Sequence, residues 1–151
     1  MVLLGLLSEP ESAHYLSPKY EEQFTCLAKN IYFEARNQPE TGQLAVGHVT
    51  LNRLESDAFP DNICDVVYEN RYRWRLNKCQ FSWYCDGKSD RPREPEAWAQ
   101  AQEIAKDAII LYSAGYDVTY GATHYHSIKV LPDWAPEFTA LAQIGDHIFY
   151  K

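Results

Sequence analysis

Residues 40–54 limit what this chain can fold into more than any other stretch. Leu44, Ala45, Val46, Val49, Leu51 and Leu54 occupy nearly every side of a helix, and Gln43, Thr50 and Arg53 leave only a narrow polar strip. A helix that is apolar all round has to be central, because each face left in water would carry a hydrophobic cost. Other elements must therefore cover it. Gly47 would let a neighbouring helix or backbone come close. His48 lies inside the same helix and is expected to be a core histidine with both ring nitrogens satisfied.

Two amphipathic helices supply candidates for that cover. Phe24, Leu27, Ala28, Ile31 and Ala35 recur at three- and four-residue intervals and predict a helix over residues 20–35. Asn37, a residue type that tolerates the left-handed conformation, is expected to close it. Ala97, Trp98, Ala101, Ile104, Ala105, Ala108, Leu111 and Tyr112 form a second stripe, opened by Pro95 and closed by Gly115. Between them, Phe59-Pro60-Asp61-Asn62 reads as a turn and residues 63–68 as a short helix or strand. Arg71, Arg73 and Arg75 alternate with Tyr72, Trp74 and Leu76, which predicts an extended basic arm, solvated or in contact with an anionic polymer. Residues 80–87 alternate polar and aromatic types and predict a strand or cleft wall, and residues 121–126 and 144–150 also read as extended. The expected class is α+β, mainly helical, with a small β region lining a cleft. Residues 1–20, with Pro10 and Pro18, read as an N-terminal arm before a single domain over 21–151.

With 151 residues the chain can bury a core as one domain. The 11 Tyr, 6 Phe and 4 Trp suit a cleft that stacks on flat ligands such as sugars. A formal net charge of -7 argues against nucleic acid held through phosphate neutralisation. No apolar run reaches the length of a membrane span, and the first seven residues lack the basic start and length of a secretory signal, so synthesis in a cytoplasm without stable membrane insertion is expected. Cys26, Cys64, Cys79 and Cys85 contain no Cys-x-x-Cys pair and give no zinc pattern. One disulfide among Cys64, Cys79 and Cys85 is the expectation for an exported protein.

The chemistry centres on Asn30-Ile31-Tyr32-Phe33-Glu34-Ala35-Arg36-Asn37. Glu34 follows Ile31 by three positions, at the margin of the buried stripe. Partial desolvation there would raise its pKa, as a general acid requires. Taken alone, a carboxylate in such a position is far more often an ordinary surface group near a helix end, because perturbed carboxylates are uncommon. A metal site is the main rival: His124 and His126 share one side of a probable strand, and His147 or Asp86 could complete three ligands. No Gly-x-Ser-x-Gly elbow exists for a serine nucleophile.

Several ordered blocks then carry a resemblance. Leu27 through Arg36, Gly42-Gln43-Leu44-Ala45-Val46, Leu51-Asn52-Arg53, Phe59-Pro60, Val66-Val67-Tyr68, Gln80-Phe81-Ser82-Trp83, Cys85-Asp86-Gly87, Ala122-Thr123-His124-Tyr125-His126, Trp134 and Gly145-Asp146-His147-Ile148-Phe149-Tyr150 resemble the cell-wall hydrolase family named for the spore-cortex lytic enzyme SleB. The likeness covers residues 24–150. It implies a lysozyme-like α+β domain that cuts the glycan strand of peptidoglycan, with the catalytic carboxylate falling on Glu34. Asn37, where the family commonly has Gly, and the longer, more basic residues 70–78 depart from the pattern.

A two-carboxylate glycosidase needs a second acid, and Asp86 is the best candidate, though Asp before Gly is also a common turn former. A lone acid suffices if the substrate supplies its own nucleophile, which points to a lytic transglycosylase giving 1,6-anhydromuramic ends. A true muramidase is the alternative, and a zinc amidase or endopeptidase of the peptide stem a more distant one. Phe81, Trp83, Tyr125 and Trp134 are candidates to stack on sugar rings; Gln80, Ser82, Asp86, His124 and His126 are candidates for polar contacts. No cofactor or metal is expected. The expected partner is the glycan strand, the expected state a monomer, and the expected setting a phage endolysin or virion-associated lysin reaching the bacterial wall, with a bacterial protein exported by another route as the alternative.

Overall fold

The computed structural model describes residues 18–70 and 79–151. Residues 1–17, most of the expected arm, and the alternating arginines Arg71, Arg73 and Arg75 lie outside the described residues. Helix α1 spans Pro18–Ala35, α2 Glu40–Leu54, α3 Ile63–Val67 and α4 Pro95–Ser113. Strands β1 His124–Ser127, β2 Ala140–Ile144 and β3 His147–Tyr150 form an antiparallel sheet in the order β1-β3-β2. The expected mainly helical α+β class is the one observed. Among the described residues no helix is long and apolar enough to cross a membrane.

Helix α2 is central because two layers claim it. Val46 and Leu51 join Leu27, Ile31, Ala105 and Ala108 in the helical core, whereas Ala45 and Val49 pack with Ala122 and Phe149 under the sheet. At the crossing, a Cβ on Gly47 would lie 3.0 Å from Ala108 Cβ and 3.3 Å from Ile31 Cδ1. The missing side chain is what allows α1 and α4 to approach α2 this closely.

His48 is fully buried. Its Nε2 lies 3.3 Å from the Ala108 carbonyl, and its Nδ1 accepts from the Val118 N–H at 3.1 Å. Those partners define a neutral ring protonated at Nε2. Burial lowers its pKa, opposed by the Asp117 charge and the Ala108 carbonyl. A lowered value means that the unfolded chain takes up the proton first, so this contribution to stability is complete above about 6.5 and falls as the pH drops below it. In urea unfolding, the wild-type midpoint is expected to decline below that pH more steeply than the midpoint of His48→Gln. Parallel curves would refute the assignment.

Two local expectations are corrected, and a third is met with an addition. Residues 80–87 are not a strand: Ser82–Cys85 is a 3-10 turn, closed by the Cys79–Cys85 disulfide with a Cα–Cα distance of 6.0 Å. The same six steps fully extended would span about 20 Å, so the bridge and a strand are incompatible. The alternation survives as inward Phe81 and Trp83 against outward Ser82 and Tyr84. Asn37 does not take the left-handed conformation; among the described non-glycine residues Tyr120 does, at φ 59°. Helix α1 instead closes through Arg36 N–H to Tyr32 O and Gln38 N–H to Ala35 O. Finally, a bridge among the three later cysteines forms, but Cys64 pairs with Cys26 of α1.

Candidate active site

Glu34 lies on the last turn of α1, between the buried Ile31 and Ala35 and the exposed Arg36. Its neighbours fix that turn. The Phe33 ring stacks on Trp83 at 4.6 Å, and the Tyr32 hydroxyl accepts the Arg93 and Glu94 N–H groups at 3.2 Å each. Buried Asn30 accepts from Trp83 Nε1 at 2.9 Å and donates to Thr50 Oγ1 at 3.3 Å, tying α1 to α2 and to the 3-10 turn. Beyond the helix, the Gln38 amide clasps the β2–β3 turn: its Oε1 accepts from Asp146 N–H at 3.0 Å and its Nε2 donates to Asp146 Oδ2 at 3.2 Å. Gly145, at φ 57°, leaves the space; a Cβ there would meet Gln38 Oε1 at 2.6 Å.

The carboxylate itself is held by Tyr125, whose hydroxyl donates to Glu34 Oε2 at 2.6 Å. Burial raises the Glu34 pKa, while the Tyr125 hydrogen bond and the Arg53 charge act in the opposite direction. Burial and the adjacent carboxylate push Tyr125 well above the usual phenol value, so its hydroxyl keeps its proton and remains a donor. With Oε2 occupied by Tyr125, Oε1 can carry a proton towards a ligand. Among the described residues, a phenol and a guanidinium are the groups that favour the ionised form of Glu34.

Strand alternation divides the other named residues. Tyr125 faces Glu34 with its ring against Phe149 at 5.4 Å and His147 at 5.1 Å. His124 and His126 point to the opposite face. There His126 is buried, with Nδ1–H on the Ser127 carbonyl at 2.8 Å and Nε2 accepting from the Tyr150 hydroxyl at 2.7 Å. His124 lies 4.3 Å from the Phe138 ring and 5.4 Å from Trp134, which is half-buried against Tyr150. Among the described residues no three His, Cys, Asp or Glu side chains gather as a metal-holding group.

Phe81 and Trp83, expected to stack on sugar, are core residues instead: exposures of 2% and 6% leave no ring face for a ligand. Asp86 accepts the Lys88 N–H at 2.8 Å and forms the turn before Gly87. Gln80 and Ser82 are exposed. The residue that sequence reasoning misses is Arg53. Only 4% exposed, it donates through Nε to the Thr123 carbonyl at 2.9 Å and lays its guanidinium on the Phe59 and Phe81 rings at 4.7 and 5.0 Å. An arginine in the narrow polar strip of a mostly apolar central helix is the available signal, since a charge is buried only with partners.

A mainly helical α+β domain with one desolvated acid at a helix end, steadied by a hydroxyl from a small sheet, is lysozyme-like in architecture. Residues 37–150 match the Cell Wall Hydrolase family, and the chain belongs to that family. The match begins three residues after Glu34. The spore cortex-lytic enzyme of Oceanobacillus iheyensis is 32% identical over 126 residues, which are 83% of this chain and 40% of that protein. The chain thus spans less than half the length of this relative. Among solved structures, the catalytic domain of the germination-specific lytic transglycosylase SleB from Bacillus anthracis aligns with a TM-score of 0.68 at 30% identity, covering 87% of this chain and 95% of that one. The Bacillus cereus SleB catalytic domain aligns with a TM-score of 0.67 at 30% identity, over 87% and 91%.

Proposed function

We propose that the chain cleaves the glycan strand of peptidoglycan between N-acetylmuramic acid and N-acetylglucosamine as a lytic transglycosylase. The observation that carries this reading is the desolvated Glu34 carboxylate held by the Tyr125 hydroxyl at 2.6 Å, an acid whose oxygen is steadied by a neutral donor. Family membership and the likeness to a domain named as a lytic transglycosylase support it.

Protonated Glu34 donates from Oε1 to the glycosidic oxygen as the C1–O bond breaks. The carboxylate it becomes then takes the proton of the muramoyl 6-hydroxyl, whose oxygen closes on C1. The proton count balances, no water is consumed, and a 1,6-anhydro end remains. One acid therefore serves twice, and its pKa must suit both donation and recovery of a proton. Because donation needs the protonated form, activity is expected to fall as the pH rises through the elevated Glu34 pKa.

Mass spectrometry of digested sacculi tests the product. Fragments lighter by one water than the hydrated sugar are expected. Hydrated reducing ends would make the enzyme a muramidase, and cleavage confined to the peptide stems would remove the glycosidase reading.

A further inference from the structure

The acid/base pair is backed by a buried cation. Arg53 reaches out of α2 into a slot between the Phe59 and Phe81 rings, and its Nε–H holds the Thr123 carbonyl, two residues before Tyr125 on the segment that becomes β1. One side chain thus anchors the strand that delivers the Tyr125 hydroxyl to Glu34, and its charge favours the ionised form of Glu34. We propose that Arg53 is the positioning residue of the Glu34–Tyr125 pair, its charge stabilising the Glu34 carboxylate left after proton donation while its Nε anchors the strand that carries Tyr125. The proposal rests on the acid/base reading of Glu34.

Among the described residues, three groups in or beside the pair do not duplicate this charge. Tyr125 comes from β1 as a neutral donor. His147 of β3 lies against the Tyr125 ring, and burial lowers its pKa, which favours the uncharged imidazole. Arg36 of α1 turns to Glu94 at 3.4 Å and to the Tyr32 ring at 4.8 Å. Arg53 acts as a cation on both members, drawing each towards its ionised form against the larger effect of burial. Desolvation by itself would leave Glu34 a ready donor whose anion, once formed, is poorly supported. A carboxylate that must take a second proton from a sugar hydroxyl has to persist as an anion between the two steps, and a fixed nearby charge in a dry site supports it without reorganisation. The aromatic slot suits arginine because a flat, weakly hydrated guanidinium stacks on rings where an ammonium would need water.

Charge and anchoring separate by substitution. Arg53→Gln keeps an amide able to donate to Thr123 and removes the charge; Arg53→Met removes both; Arg53→Lys keeps the charge without the planar fork. Circular dichroism, carbon-13 NMR titration of Glu34 without substrate, and the pH profile of wall lysis are measured for each. The Glu34 resonance is assigned by its loss in Glu34→Gln. In a folded neutral variant, Glu34 is expected to titrate at higher pH than in wild type and the alkaline limb of lysis to move up with it. The maximal rate should fall about tenfold or more as support and alignment are lost. Arg53→Lys is expected to titrate near wild type with a reduced rate. An unmoved Glu34 titration in either folded neutral variant overturns the proposal, as does a Lys variant shifted as far as the neutral ones. If Glu34→Gln still lyses walls, the acid/base reading fails, while the NMR titration separately decides whether the Arg53 charge acts on Glu34.

Discussion

Glu34→Gln is expected to lower wall lysis by about 100- to 10,000-fold, the range usually contributed by a positioned general acid, and at neutral pH to leave the protein more stable than wild type. Both effects follow from one carboxylate. Glutamine has nearly the same shape, and its amide oxygen can still accept the Tyr125 hydroxyl now 2.6 Å from Oε2. It has no proton to give and forms no anion to take one back. The stability effect has the opposite sign because the Glu34 pKa is raised in the folded state. A group of that kind favours folding fully below its unfolded value, about 4.5, and loses that contribution as the pH climbs through the folded value. At neutral pH the wild type therefore bears a desolvation penalty that the amide lacks. Urea unfolding at two pH values, with turbidity loss of purified sacculi, measures both. A variant that lyses at the wild-type rate would remove Glu34 from the chemistry, and one merely unfolded would be exposed by the same urea curve.

The central helix is legible in the sequence because its signal is local. Residues apolar on every side of α2 can only be read as buried, and the helical and sheet layers on its two faces supply the reason. Glu34 is legible as a position on a stripe, but its setting is not. The hydroxyl that holds it comes from 91 residues further along the chain, and no spacing rule reaches that far. Tyr125 accordingly reads in sequence as a stacking surface, whereas its observed contact is a hydrogen bond to Glu34.

The misread residues share a cause. Phe81 and Trp83 alternate with polar neighbours as a half-exposed strand would, yet a six-residue disulfide loop turns the segment into a 3-10 turn and both rings go inward. His124, Tyr125 and His126 group together by sequence adjacency, although neighbouring residues on a strand face opposite ways. Either Tyr125 or the two histidines can look towards Glu34, and the packing of Phe149 under the sheet makes it Tyr125. Arg53 reads as part of a polar strip because burial of a charge depends on partners that the helix itself does not contain.

Removing the Cys26–Cys64 bridge is expected to destabilise the fold by about 4 kcal/mol, and removing Cys79–Cys85 by about 2 kcal/mol, on the chain-entropy account of disulfides. The difference follows from loop size: the first pair are 38 residues apart and the second 6. The larger loop contains the Glu34 end of α1, all of α2 with Arg53, and the start of α3. Opening it releases in the unfolded chain the segments that carry the acid and its cation. Against a typical total stability of about 5–15 kcal/mol, the first loss is a major fraction and the second a moderate one. Both Cys26 and Cys64 are buried, so a double alanine variant adds a small packing defect to the entropic effect. Urea unfolding of Cys26→Ala/Cys64→Ala, of Cys79→Ala/Cys85→Ala, and of wild type with and without reductant ranks these contributions. Neither bridge touches the reacting atoms in the proposed mechanism, so the activity lost should track the folded fraction, and stabilising osmolyte should restore it. A Cys26–Cys64 variant that unfolds at the wild-type midpoint would contradict the ranking. One that stays folded but inactive would mean that the bridge holds α1 in register with Tyr125, a role that loop entropy does not include.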